Sequence, residues 1–269
     1  MARAGFAVVT GASSGIGLEL ARQFASHGFD LLVTSRGQGL DEAAAMLRDL
    51  GAEVTVAPAD LSTEEGVEAL VRAIQDTGRP LDALAINAGI GAGGAFVPGV
   101  ADRTTALEDE LSLLRLNVVA VVHLAKRLLP AMVQRGEGRV LFTSSISGTT
   151  PVPFEAVYGA SKAFVLSFAE AIRTELKDSG VTVTTLLPQQ TETAFFHKAG
   201  EDDTKVGAGP KADPADVACQ GFEALMAGRD KVFGGGLAVS FEGRVLNRVL
   251  PDSIKAERHA RLSEPGSAN

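Results

Sequence analysis

Short apolar runs alternate with longer segments of helical spacing along the chain. The first run, Phe6 to Thr10, is apolar and rich in β-branched residues, which is typical of a buried strand. Six similar runs follow it: Leu31 to Thr34, Glu53 to Ala57, Asp82 to Ile86, Gly138 to Ser144, Val181 to Leu187 and Lys231 to Phe233. Strands that alternate with helices in this way predict an α/β fold, a doubly wound parallel sheet of about seven strands with helices on both faces.

No break in composition divides the chain, which has 269 residues. This length suits one large α/β domain. We predict a single domain over residues 1–262, with a flap over the substrate at about 190–212 that is partly helical near Phe195 and Phe196. An amphipathic extension follows at about 242–262, either as a solvated helix that covers the sheet edge or as a membrane contact. The extension contains the basic residues Arg244, Arg248, Lys255, Arg258 and Arg261 among apolar ones. Residues 263–269 are predicted to form a disordered tail.

The first predicted strand leads into T-G-A-S-S-G-I-G, Thr10 to Gly17, and then into a helix. Gly11 permits a tight turn, Gly15 lets the backbone approach a pyrophosphate, and Gly17 lets the helix pack on the strand. The start of the helix then offers N–H groups and the positive end of a dipole. An ordinary turn is the alternative, but three glycines at this junction favour a Rossmann-like dinucleotide site.

The second predicted strand ends in Ser35-Arg36 and not in an acidic residue. A carboxylate at this position would bind the ribose 2′-hydroxyl of NAD, whereas a hydroxyl and a guanidinium suit the 2′-phosphate of NADP. A solvated arginine at a strand end is the alternative interpretation. We favour NADP(H) over NAD(H).

Tyr158 and Lys162 lie one turn apart on the same face of a predicted helix, and Tyr158 is the only tyrosine in the chain. A free tyrosine has a pKa of about 10, and a neighbouring ammonium lowers it by favouring the phenolate. The pair therefore predicts a proton-transfer group. A surface pair on an amphipathic helix is the alternative, and spacing alone does not exclude it.

Several motifs together resemble the short-chain dehydrogenase/reductase family over about residues 5–235. The matching residues, in order, are Thr10 to Gly17, Asp60-Leu61, Asn87-Ala88-Gly89, Asn117, Ser145, and Tyr158 with Lys162. The number and order of the matches make the resemblance strong, although each one alone is weak.

The resemblance implies a catalytic role for four residues. Tyr158 would donate a proton when a carbonyl is reduced, and Ser145 would hydrogen-bond the substrate oxygen. Lys162 would lower the Tyr158 pKa and hold the nicotinamide ribose. Asn117 lies inside one long predicted helix, Ala106 to Met132, where a surface position is equally acceptable from the residue type alone. By the resemblance it would kink this helix and hold a water that links Lys162 to solvent.

The resemblance also implies the cofactor site. Asp60 would contact adenine, and Thr193 would lie at the nicotinamide carboxamide. Gln189 follows Pro188, where the family usually has glycine. The complete predicted set is Gly11, Ser13, Ser14, Gly15, Ile16, Gly17, Arg36, Asp60, Leu61, Asn87, Ala88, Gly89, Tyr158, Lys162, Pro188 and Thr193.

These residues predict an NADP(H)-dependent oxidoreductase that transfers a hydride between nicotinamide and a carbonyl or secondary alcohol. A hydrophobic ketone, acyl or steroid-like substrate is expected, because the candidate pocket residues are mostly apolar: Ile90, Phe96, Ile146, Phe154, Phe195 and Phe196. Two alternatives remain open. One is a non-catalytic nucleotide sensor on the same fold. The other is a peripheral membrane reductase of lipid-like substrates, which the basic extension suggests because basic amphipathic segments bind anionic membranes.

Charge and composition narrow the class of partner. The net charge is −8, from 25 basic and 33 acidic residues, which argues against nucleic acid. One cysteine, Cys219, and four scattered histidines predict no disulfide and no metal site. No apolar run reaches the roughly 18 residues of a membrane span, and no signal peptide is evident. We expect a cytoplasmic homodimer by family resemblance, with a tetramer as the alternative.

Overall fold

The computed structural model describes residues 4–193, 195–236 and 250–268. Its seven strands are β1 (Gly5–Thr10), β2 (Phe29–Thr34), β3 (Val54–Val56), β4 (Ala83–Ile86), β5 (Gly138–Thr143), β6 (Val181–Pro188) and β7 (Lys231–Gly234). They form one parallel sheet in the order β3-β2-β1-β4-β5-β6-β7. The predicted doubly wound, Rossmann-like sheet is confirmed.

Helices cover both faces of the sheet. They are α1 (Gly15–Ser26), α2 (Leu40–Asp49), α3 (Glu64–Asp76), α4 (Leu107–Leu114), α5 (Ala120–Arg135), α6 (Ala156–Glu175), α7 (Phe195–Ala199), α8 (Lys205–Ala208), α9 (Pro214–Met226) and α10 (Asp252–Ser263). Apolar residues of α3, α5 and α6 form one core, and those of α1, α2 and α9 form the other. Alternate residues of β1 serve the two cores, Phe6 and Val8 on one side and Ala7 and Val9 on the other, as strand geometry requires.

The order of the strands reverses between β1 and β4, which lie side by side in the sheet. In an open parallel sheet this switch point leaves a crevice beyond the carboxyl ends of the strands, where ligands bind. The glycine turn after β1 and the Asn87–Gly89 segment after β4 meet there, since Asn87 Nδ2 donates to the Thr10 carbonyl at 3.2 Å. The topology therefore gathers residues that are far apart in sequence.

A single helical rod runs over Leu107–Arg135, as predicted, with a π-helical turn at Arg115–Val119 between α4 and α5. By length and composition alone, it is the one helix of the described residues that is long and apolar enough to cross a membrane. Leu113, Leu124 and Met132 are fully buried in the protein. The rod thus has the apolar face of a core helix.

The predicted flap contains two short helices, α7 and α8, and its helical part at Phe195 and Phe196 matches the prediction. Residues 264–268 differ from the predicted disorder, because they form turns against the flap. The Ala268 N–H donates to the Asp203 carbonyl at 3.0 Å, and the Lys205 N–H donates to Ser267 Oγ at 3.0 Å. These bonds satisfy polar groups of both segments and hold the tail in place.

The predicted amphipathic extension lies only partly within the described residues. Arg244 and Arg248 fall outside them, and the described part begins at Leu250. Within it, α10 packs against α8 of the flap, and Lys255 is buried and paired with Asp252 at 2.6 Å. This helix therefore covers the flap, whereas a helix over the sheet edge was one of the two expectations.

Candidate active site

A cavity of about 1190 Å³ opens at the carboxyl edge of the sheet, between the glycine turn and the flap. Nearly all the predicted site residues line it, which brings together segments from most of the chain. The predicted residues in its wall are Gly11, Ser13, Ser14, Gly15, Ile16, Gly17, Arg36, Asp60, Leu61, Asn87, Ala88, Gly89, Ser145, Tyr158, Lys162, Pro188 and Thr193. The volume suits a dinucleotide together with a small substrate.

The glycine turn has the shape that a pyrophosphate requires. A Cβ at Gly17 would lie 2.1 Å from the Gly11 carbonyl oxygen, so no other residue fits between the helix and the turn. Ser14 precedes α1 without a side-chain cap, which leaves the start of the helix to another acceptor. Because the uncapped helix end faces the cavity, these residues fit the phosphates of a dinucleotide cofactor.

Arg36, the predicted cation, lies at the end of the cavity that is expected to hold adenosine. Arg36 is exposed, and its Nη1 lies 3.2 Å from Asp60 Oδ2. Beside it, the hydroxyls of Ser13 and Ser35 are 3.0 Å apart. Asp60 also accepts hydrogen bonds from the backbone and side chain of Ser62, which fix its carboxylate. The arrangement offers a guanidinium and hydroxyls to a phosphate at the cavity mouth.

Gln189 and Thr193, one and five positions after Pro188, shape the opposite end. Thr193 packs on the glycine turn, since a Cβ at Gly15 would lie 2.8 Å from Thr193 Cγ2. Gln189, in place of the usual glycine, lines the cavity and packs its side chain on Gly235. Gly235 has φ +129, and its lack of a side chain leaves the room that Gln189 occupies.

The first turns of α6 position the candidate catalytic group. Tyr158 and Lys162 are both buried, and Lys162 Nζ lies 5.8 Å from the centre of the tyrosine ring. Lys162 Nζ also donates to the Thr143 carbonyl at 3.1 Å. Ser144 Oγ donates to the Lys162 carbonyl at 2.7 Å, a bond that ties α6 to the end of β5. The sequence did not single out Ser144.

Ser145 and Asn117 complete the set. Ser145 is buried, and its hydroxyl accepts the Ser147 N–H at 3.1 Å at the start of a short 3-10 turn. Asn117 is only 1% exposed and lies inside the π-helical turn, so the surface interpretation is wrong. Its side chain bonds both backbone groups of Ile90, at 3.0 and 2.9 Å, and donates to Ser161 Oγ at 3.1 Å.

The pKa of Tyr158 moves in the direction opposite to the prediction. Burial raises it, the Ser145 hydroxyl acts to lower it, and the charges of Glu155 and Glu201 raise it further. Burial also lowers the pKa of Lys162 to about 8, because a dry environment disfavours the ammonium. In the cofactor-free protein Tyr158 is therefore a protonated phenol, which is the form needed to donate a proton.

The predicted substrate residues divide into two groups. Ile90, Ile146, Phe195 and Phe196 line the cavity, and the rings of Phe195 and Tyr158 are 5.2 Å apart. Phe96 does not line it: the side chain is 62% exposed on a loop pinned by the Ala95–Thr104 bridge.

Phe154 is also absent from the cavity wall. Its backbone has φ +65, and its carbonyl accepts the Gly94 N–H at 2.7 Å. This backbone contact, and not the aromatic ring, joins the residue to the loop beside the site.

Three polar residues that the sequence analysis missed lie next to Tyr158. Glu155 and His259 line the cavity, and Glu201 lies behind Gly93 of the cavity wall. Glu155 is 5% exposed and Glu201 is 2% exposed. Only Glu155 had a signal in the sequence, since it precedes Tyr158 by one helical turn. Glu201 and His259 reach the site from the flap and from α10.

Burial raises the pKa of both carboxyl groups. Burial raises the pKa of Glu155 to about 7, against the effects of Ser263 and of Glu201. Burial and the Glu155 charge raise the pKa of Glu201 to about 9, and Arg103 opposes this change. At neutral pH the pair as a whole therefore holds one proton and carries one negative charge. Burial also lowers the pKa of His259 to about 4, so its imidazole is neutral.

Replacement of one carboxyl group of the acid pair should change how the free energy of unfolding depends on pH. Between pH 6.5, the ordinary pKa of His259, and pH 8, the pKa of Lys162 in this structure, the folded chain holds a proton on the acid pair that the unfolded chain has released. Stability therefore falls as pH rises, by up to about 1.4 kcal/mol per pH unit for one proton. We expect Glu201→Gln to flatten this slope in urea unfolding. Glu175→Gln, on the exposed end of α6, is the control; an equal slope in both variants would contradict the assignment.

A family model described as short chain dehydrogenase matches residues 5–204 of the chain. The protein is a member of the short chain dehydrogenase family. It is an oxidoreductase that acts on CH–OH groups. A putative ketoacyl reductase of Streptomyces coelicolor is 38% identical over 192 residues, which cover 70% of each chain. The ketoacyl reductase HetN of a Nostoc species is 34% identical over 182 residues; the match spans 67% of this chain and 61% of the relative.

The solved structures of family members include complexes with NADPH and a complex with NAD. A short-chain dehydrogenase from Sphingobium yanoikuyae in complex with NADPH has a TM-score of 0.80 and 31% identity, over 91% of this chain and 92% of that one. A family member from Burkholderia phymatum in complex with NAD has a TM-score of 0.78 and 25% identity, over 90% and 92% of the two chains. A nicotinamide dinucleotide is therefore the cofactor class.

Proposed function

We propose that this dehydrogenase is an NADP(H)-dependent carbonyl reductase and secondary-alcohol dehydrogenase in which Tyr158 transfers the proton. The observation that carries the proposal is the buried Ser145, Tyr158 and Lys162 set in the wall of the same cavity as the glycine turn. A sensor of nucleotides has no need of this set, which argues against the non-catalytic alternative.

Each residue has a definite task. Bound NADPH supplies the hydride, and the chain supplies the oxygen-binding groups and the proton. Ser145 and Tyr158 hold the substrate oxygen from two hydroxyls, and the phenol of Tyr158 donates its proton as negative charge develops there. Lys162, fixed by the Thr143 carbonyl, holds the nicotinamide ribose and stabilises the phenolate that remains.

The cavity favours a substrate with an apolar carbon chain next to the reacting carbon. Ile90, Ile146 and Phe195 surround that position. The two ketoacyl reductases among the relatives support a ketone or an acyl ketone as the substrate class. An absorbance screen of ketones and secondary alcohols with each cofactor tests the proposal. NADPH binding without turnover across the screen would favour a nucleotide sensor instead.

Arg36 should determine the choice between the two cofactors. Loss of its charge-assisted bond to a 2′-phosphate is expected to raise KM for NADPH about 10- to 100-fold in Arg36→Ala, because such bonds contribute about 1.5–3 kcal/mol. KM for NADH should not change, since that cofactor has no 2′-phosphate. Arg22→Ala, an exposed arginine of α1 paired with Glu19, is the matched control. Equal losses with both cofactors would exclude a role in discrimination.

The remaining expectations stay predictions. A homodimer through the helical rod and α6 would cover Val119, Val133 and Phe164, which are exposed apolar residues of these helices. The peripheral membrane alternative is tested by cosedimentation with anionic vesicles, with and without the extension. The cytoplasmic location stays a prediction.

A further inference from the structure

A polar cluster next to Tyr158 takes no part in the chemistry described above. It consists of Glu155 at the start of α6, Glu201 between α7 and α8, and His259 with Ser263 on α10. Glu155 and His259 form part of the cavity wall. Glu201 is in contact with that wall, since a Cβ at Gly93 would lie 2.5 Å from Glu201 Oε1. Three separate elements thus place these groups beside the substrate.

The hydrogen bonds of the cluster show which atoms accept. Ser263 Oγ donates to Glu155 Oε2 at 3.2 Å, and it has only one hydrogen to give. In its second contact, at 2.9 Å, Ser263 Oγ must therefore accept a hydrogen bond from the protonated Nδ1 of His259. Nε2 of the neutral ring is then an acceptor. The cavity wall thus presents the Glu155 carboxyl group and an imidazole nitrogen, both able to accept hydrogen bonds, and the Arg103 guanidinium lies in the same wall.

Glu201 has acceptor capacity to spare. Among the described residues, no group donates a hydrogen bond to either of its carboxylate oxygens, although both are buried. The charge of Arg103 acts on Glu201; its Nε is held by the Gly93 carbonyl at 3.2 Å and its Nη1 by Asp203 at 2.9 Å, whereas its buried Nη2 has no partner among the described residues. A buried carboxyl group without a donor is unfavourable, so the cluster suits a ligand that brings donors.

We propose that Glu155, Glu201 and His259 bind a primary ammonium group of the substrate, which makes the enzyme an amino-alcohol dehydrogenase or amino-ketone reductase. The inference rests on the proposed function, since the reacting carbon must lie at Tyr158. An ammonium brings three N–H donors and one positive charge, which match the acceptors and the single negative charge of the acid pair. A hydroxyl or a methyl group supplies no such charge.

The apolar part of the cavity agrees with this substrate. Phe195 and Ile146 pack against a carbon chain that joins the carbonyl to the ammonium. An ammonium at the acid pair also offsets the carboxylate charges that raise the pKa of Tyr158. Binding of an ammonium substrate therefore lowers the pKa of Tyr158, the proton donor, toward the pH of the reaction.

A matched series of secondary alcohols tests the proposal. The alcohols have equal chain length and end in a primary amine, a hydroxyl or a methyl group, and their oxidation by NADP⁺ is followed at a pH where the amine is protonated. The wild-type enzyme is expected to prefer the amine over the methyl compound about 10- to 100-fold in kcat/KM. Equal values for the two compounds would overturn the ammonium site.

Variants then assign the preference to the cluster. Glu155→Gln and Glu201→Gln keep the size of the side chain and replace a carboxyl group of the pair by a neutral amide, so the ratio of kcat/KM for the amine and methyl compounds should approach one. Because the ratio is formed within each variant, a general loss of activity cancels. Glu175→Gln is the control on the exposed end of α6 and should keep the wild-type ratio. A preference that persists in both cluster variants would overturn the proposal.

Calorimetric titration separates this inference from the proposed function. The amine-terminated alcohol is titrated into the enzyme with NADP⁺ and into both cluster variants. Binding that the variants weaken, in an enzyme that oxidises no alcohol and reduces no ketone, would leave the ammonium site standing and overturn the proposed function. Oxidation of the methyl compound without any preference for the amine would do the reverse.

Discussion

Tyr158→Phe should lose about 10²–10⁴-fold in kcat for NADPH-dependent ketone reduction, the range typical of general acid catalysis. The variant keeps the aromatic ring, which packs against Phe195, and removes only the hydroxyl that donates the proton. Steady-state kinetics with the best ketone of the screen measures the loss. Because the buried phenol is protonated in the cofactor-free protein, no other group has to deliver a proton to it before the first turnover.

The same variant should bind NADPH nearly as well as the wild type, since most of the predicted cofactor-binding residues lie at the glycine turn and near Arg36. Fluorescence titration of NADPH tests this. Thr174→Val, which removes a hydroxyl at the far end of α6, is the control for the helix and should keep full activity. Turnover near the wild-type rate in Tyr158→Phe would exclude Tyr158 as the proton donor.

Gly17→Ala should weaken NADPH binding about 10- to 100-fold. The new methyl group would lie 2.1 Å from the Gly11 carbonyl oxygen and 2.6 Å from Asn87 Nδ2, so the backbone of the turn has to move. Overpacking of this kind costs about 1–3 kcal/mol, and each 1.4 kcal/mol is about tenfold in affinity. The loss appears in the NADPH dissociation constant and not in the chemical step.

The control for this variant is Gly236→Ala. No atom of the described residues lies within 4 Å of the position that its Cβ would take, so the same chemical change meets none of them. Thermal unfolding of both variants distinguishes a moved turn from a general loss of folding. An unchanged NADPH affinity in a folded Gly17→Ala protein would contradict the account of the turn.

The catalytic motifs were predictable because each depends on local geometry. The backbone of one strand–helix turn requires the three glycines, Gly11, Gly15 and Gly17. One turn of a helix places Tyr158 beside Lys162. Asn117 is different: its place inside a π-helical turn, bonded to Ile90, follows from packing between the helical rod and the loop after β4. Without the resemblance to a family, its polarity alone left a surface position equally acceptable.

The substrate side was predicted less well, because it is built from loops. Phe96 and Phe154 are apolar residues next to glycines and prolines, and nothing local shows whether their rings face the cavity or leave it. In the structure, the Ala95–Thr104 bridge turns Phe96 outward. The pKa of Tyr158 was predicted in the wrong direction for a related reason: burial and the charges of two carboxyl groups exceed the effect expected of Lys162.

By itself, the sequence determined the alternation of strands and helices, the phosphate turn and the tyrosine–lysine pair, since periodicity and short-range spacing encode them. The tertiary structure alone decided the polar end of the cavity. Glu155, Glu201 and His259 come from three distant segments, and only the docking of the flap and of α10 on the start of α6 brings them together. Long-range packing places such groups, and no local pattern in the chain records it.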